Sequence, residues 1–138
     1  MLDAAGELGA LHAARLARED GALDGIDVHR LRLVRAIDRY IRLATPVPAR
    51  SARRHTETVG VAVDRLAIWC ALAYTPGTPV TNAEIHLAET QVLDLAGGLD
   101  DLLSDITTRR CTVPTVYTLP CVNDASGIRM AAHCQRHA

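Results

Sequence analysis

The sequence has no lysine and no phenylalanine, and Trp69 is its single tryptophan. All fifteen basic side chains are therefore arginines. Without Phe, the core must be filled by Leu, Ala, Val and Ile, small aliphatic groups that suit close helix packing. No run of about 18 apolar residues occurs, so no membrane-spanning helix is expected. The first residues, Met1 to Glu7, lack a basic start and an apolar signal core, which leads us to expect a cytoplasmic protein with reduced thiols at its four cysteines. The net charge is −1 with no basic block, which speaks against a broad nucleic-acid surface. There is no P-loop, no dinucleotide fingerprint and no Gly-x-Ser-x-Gly elbow, so the nature of any cofactor is left open.

What remains is a chain of 138 residues, enough for one domain. Leu2 to about Asp20 is rich in Ala and Leu and reads as a first helix. Gly21 and Gly25 bracket a turn, and Asp27 is a candidate N-cap for a second helix ending near Ala44, before Pro46 and Pro48. Thr56 is a candidate cap for a third helix running to about Tyr74. Pro76-Gly77-Thr78-Pro79 breaks the chain. Thr81 and Glu84 have capping-box spacing and open a fourth helix, with Val92, Leu95, Leu99, Leu102 and Ile106 as its apolar stripe. Gly97-Gly98 is a candidate kink within it. The expected fold class is all-α: a mostly antiparallel four-helix bundle over residues 1–110, with an extended C-terminal segment, 111–138, packed on it in the same domain.

Polar groups fall on the apolar faces of these helices. The third helix is apolar nearly all round, the mark of a central helix. Within it, Glu57 and Asp64 are seven residues apart and share a side with Val61 and Ile68, so both carboxylates are expected to be at least partly buried. Asp38 falls inside the stripe formed by Leu31, Val34, Ile37 and Ile41. In the first helix His12, Arg15 and Glu19 share a face with Leu8 and Leu11. A buried carboxylate must be paired, hydrogen-bonded, metal-bound or protonated. The bland reading pairs the acids with Arg65, Arg39 or Arg15 and lets them fix the register of the bundle. It also allows Glu57 a place in the first helical turn, where the macrodipole favours an acid by about 0.3–1 kcal/mol. The functional reading has His12, Glu19, Asp38, His55, Glu57 and Asp64 converge on a ligand or metal site.

Sharper chemistries find less support. A ferritin-like di-metal bundle needs Glu-x-x-His pairs, and none occurs. Glu84 and Glu89 share a face poorly as magnesium ligands of a nucleotide pyrophosphohydrolase. Cys111, Cys121, Cys134, His133 and His137 are too irregularly spaced for a zinc site, so no metal site is expected. Cys70 lies on an apolar stripe and reads as a small buried hydrophobe.

Glu19-Asp20, then Arg35-Ala36-Ile37-Asp38-Arg39, then His55-Thr56-Glu57-Thr58-Val59-Gly60 with Asp64-Arg65-Leu66, together resemble a bacterial family of small helical proteins, domain-of-unknown-function family 4254. The likeness extends to Arg109-Arg110, Tyr117 and Asn123-Asp124. The resemblance implies a helical fold and a choice of residues, and brings no established activity. The expected site has His55, Glu57 and Asp64 as its catalytic groups, with His55 the natural acid–base. Glu19, Asp20, Asp38, Arg65, Asn123 and Asp124 are its expected ligand-binding groups. Binding of a small metabolite, with its transformation in specialised or cell-envelope metabolism, is one expectation. The other is an interaction module whose Arg32, Arg35 and Arg39 face docks an acidic partner or a second copy.

Overall fold

The computed structural model describes residues 1–17, 24–77 and 80–114. Four helices dominate them: α1 (Leu2–Leu16), α2 (Asp24–Ala44), α3 (Val59–Tyr74) and α4 (Asn82–Thr107). Two short strands, β1 (Arg53–Arg54) and β2 (Cys111–Thr112), pair in parallel, Arg53 opposite Cys111. The C-terminal segment is extended at Cys111–Thr112, and residues 115–138 lie outside the described residues. Among the described residues no helix is long and apolar enough to cross a membrane.

Helix α3 packs against each of the other three, as its all-round apolarity demands. Its buried positions are Val59, Gly60, Val63, Asp64, Ala67 and Ala71. Leu8, Val34, Ile37, Ile41, Leu102 and Ile106 converge on them from the neighbouring helices. Trp69 is only partly buried, so the core is aliphatic.

The start of α3 differs from the expected one. Thr58, not Thr56, is the N-cap, and its hydroxyl accepts from the Val61 N–H at 3.2 Å. Thr58 is 1% exposed, whereas Thr56 is at the surface. Both threonines can cap; burying the two residues that follow Thr58 decides between them. A second acceptor comes from another helix: Asp38 Oδ1 takes the Gly60 N–H at 2.7 Å. Two of the four orphan N–H groups of this helix end are thus satisfied in the interior. Gly60 is required there. A Cβ at this position would run into the Val34 carbonyl oxygen and lie 2.8 Å from Asp38 Oδ1.

Helix α2 begins at Asp24, so Asp27 lies in its first turn. Helix α4 starts as its sequence predicts, with Thr81 and Glu84 forming a reciprocal capping box. The Glu84 carboxyl is held below the usual range, chiefly by the Thr81 backbone N–H. The helix runs unbroken through Gly97 and Gly98. Arg109 then takes a left-handed conformation (φ 64°) and turns the chain into β2. Its guanidinium donates to the Val47 carbonyl at 2.9 Å, and Arg53 and Arg110 both grip Asp105.

Candidate functional site

Three helices bring one polar centre into the interior. Asp64 on α3 is 4% exposed and His12 on α1 is 6% exposed. His12 Nε2 donates to Asp64 Oδ1 at 2.9 Å. From α2, Arg30 Nε donates to the same oxygen at 2.9 Å, and Arg30 Nη2 donates to Oδ2 at 2.8 Å. Asp27 extends the network outward, accepting from Arg15 Nη1 at 3.2 Å and lying 3.6 Å from Arg30 Nη1.

Burial alone would push the Asp64 carboxyl up. The hydrogen bonds from His12 and Arg30, with the charge of Arg30, outweigh it and hold the carboxyl below its ordinary range. Arg30 is reciprocally raised, first by its hydrogen bond to Asp64. Asp64 is thus an ionised carboxylate. It has only acceptors to offer, so His12 Nε2 must carry a proton. A neutral His12 then presents Nδ1 as a bare acceptor. Nδ1 makes no hydrogen bond to a described residue, yet no buried side-chain N or O atom among them lacks a partner. The His12 ring borders a pocket of about 430 Å³, walled by His12, Arg15 and Arg30 among its polar residues and by Leu16, Ile68 and Leu72 among its apolar ones.

The other expected site residues separate from this centre. Glu57 precedes the cap of α3 and does not share a helical side with Asp64. It is half-buried and ion-paired with Arg65, one of the arginines expected of it. His55 is exposed; its Nδ1 faces the Glu57 backbone at 3.0 Å, a local turn contact. Asp38 caps α3, and Arg65 stands at the surface. Glu19, Asp20, Asn123 and Asp124 lie outside the described residues, as do Cys121, Cys134, His133 and His137. Cys70 is half-buried, and burial raises its thiol pKa. His12 was visible in the sequence as a polar group on an apolar face. Arg30 was not, because it stands among the other arginines of α2 with nothing to single it out.

A second and larger cavity, about 600 Å³, lies between α2, the 45–48 turn and residues 111–114. Arg35, Asp38, Arg39 and Arg42 line it together with Val34, Ile41 and Val113.

The family described as Protein of unknown function (DUF4254) matches residues 8–76, half of the chain. The chain belongs to the DUF4254 family. No curated protein and no solved structure matches it. The DUF4254 match spans α1 from Leu8, all of α2 and all of α3, so it contains every member of the His12–Asp64–Arg30 centre and also Asp38 and Gly60. Helix α4 and β2 lie beyond it.

Proposed function

We propose that this protein binds, and is equipped to transform, a small amphipathic metabolite in the pocket beside His12. The observation that carries the reading is Nδ1 of His12. With its proton on Nε2 alone, the ring offers Nδ1 as an acceptor without a partner among the described residues, and the same ring, held by a buried carboxylate, lines a pocket with two guanidiniums and aliphatic walls. A molecule with an apolar body fits these walls. Its acidic O–H is presented to Nδ1, and its oxyanion is met by Arg15 and Arg30. Holding an imidazole by a carboxylate is the arrangement that orients a general base. The reading goes with a bundle of mostly antiparallel helices, for which the short α1–α2 and α3–α4 connections are the support, and with the cytoplasmic bacterial protein expected from the sequence.

The test is a fragment screen of carboxylic and hydroxy acids, followed on the His12 ring resonances of the wild type and of Leu72→Trp. That substitution fills the pocket and leaves the polar centre alone. Compounds that shift His12 in the wild type and not in Leu72→Trp support the reading. Compounds that shift both equally, or a screen in which none shifts His12, overturn it.

A second reading has one observation in its favour: every buried side-chain donor and acceptor among the described residues is satisfied. The centre then serves only to fix the register of α1, α2 and α3, as buried polar groups do in some bundles. The triple replacement His12→Leu, Arg30→Met, Asp64→Leu separates the two. Register-fixing predicts a loss of unique packing, and ligand binding predicts a folded protein that has lost its ligands.

A further inference from the structure

The α2 groove holds three arginines that meet no carboxylate among the described residues. Arg35, Arg39 and Arg42 follow one another at spacings of four and three, which places them along one face of α2 over about 10 Å. All three are exposed, all three line the 600 Å³ cavity, and none is ion-paired among the described residues. Five arginines elsewhere, Arg15, Arg30, Arg53, Arg65 and Arg110, each meet an acid, whereas Arg109 donates to a backbone carbonyl. Among the described residues Asp38 is the one carboxylate lining the groove, and its Oδ1 is already committed to the Gly60 N–H. The described residues therefore give the groove a net charge of about +2, counting three guanidiniums against one carboxylate. Behind this charge the floor is apolar, with Val34, Ile41, Ile106 and Val113.

The geometry points to a second binding site here, for an amphipathic polyanion: a diphosphate-type head spread along Arg35, Arg39 and Arg42, with an apolar tail on the floor. Arginine forks match phosphate oxygens in pairs, and three forks one helical turn apart suit two linked anionic centres better than one. The tail accounts for the aliphatic floor, which a purely ionic ligand leaves uncovered. This site shares no lining residue with the His12 pocket and stands or falls independently of it.

Isothermal titration of the full chain with inorganic pyrophosphate and with a short-chain prenyl diphosphate tests the proposal. The prenyl compound is expected to bind at least about tenfold more tightly than pyrophosphate, since burying even two methylenes is worth that factor. Arg39→Ala is expected to weaken it about tenfold, and the Arg35→Ala, Arg39→Ala, Arg42→Ala protein by a hundredfold or about that, with a steep dependence on salt. These positions are exposed, so the variants fold, and circular dichroism checks it. Leu72→Trp, which blocks the other pocket, is expected to leave this binding unchanged. Equal affinity for both probes, binding indifferent to the arginines, or no binding of either probe overturns the proposal. So does a dimer in light scattering that Arg39→Glu dissociates, because the groove then belongs to a second copy.

Discussion

Replacing Asp64 by Asn is the most informative single perturbation of the fold. The amide keeps the size of the side chain and removes its charge and one of its two acceptors. Asp64 is 4% exposed and receives hydrogen bonds from His12 at 2.9 Å and from Arg30 at 2.8 and 2.9 Å. Removing one partner of a buried ion pair costs about 3–5 kcal/mol. The Arg30 side chain is 26% exposed and recovers part of its hydration, which lowers the expected loss to about 2–4 kcal/mol. In urea unfolding this appears as a midpoint about 1–2 M lower with an unchanged slope. The effect depends on pH in a defined sense. The folded-state carboxyl titrates below its unfolded counterpart. The stability that Asp64 contributes is therefore complete above about pH 4 and is lost as pH falls through the folded value. The gap between wild type and Asp64→Asn should narrow on acidification below about pH 4. A loss under about 1 kcal/mol at neutral pH, typical of a surface site, would refute the reasoning.

Three further outcomes follow from the same geometry. Gly60→Ala puts a Cβ against the Val34 carbonyl, where backbone must move, and is expected to cost at least about 2–3 kcal/mol by thermal unfolding. Asp38→Ala removes the acceptor of the Gly60 N–H and should cost about 1–2 kcal/mol, whereas Asp38→Asn, which keeps an acceptor oxygen, should recover most of it; equal losses would argue against the cap. His55→Ala is expected to change stability by under about 0.5 kcal/mol and to leave His12-pocket binding intact, since the ring is exposed and contacts only its own turn; a large loss of binding would return His55 to the site.

What the sequence disclosed was what local pattern controls. The α4 capping box needed only Thr81 and Glu84 three residues apart. The central position of α3 followed from its lack of a polar face, and the burial of Asp64 followed from that position. The start of α3 was off by two residues because Thr56 and Thr58 cap equally well in isolation; only the packing of Val59 and Gly60 against α2 chooses. That shift moved Glu57 out of the helix and undid its expected alignment with Asp64. The partners of Asp64 lie 34 and 52 residues away, and no local spacing could choose Arg30 among the several arginines of α2. The β1–β2 pairing is equally non-local: two residues on each side, joined only after α4 has turned the chain back at Arg109.

The central claim is that a buried carboxylate fixes His12 with Nδ1 as an acceptor on a ring that lines the pocket. Nitrogen-15 NMR of the histidine rings, at a pH where imidazole is neutral, reads this directly. The account predicts a single His12 tautomer with its proton on Nε2, a bare Nδ1, and loss of that preference in Asp64→Asn. A proton on Nδ1, or the mixture of tautomers typical of a free imidazole, would contradict it.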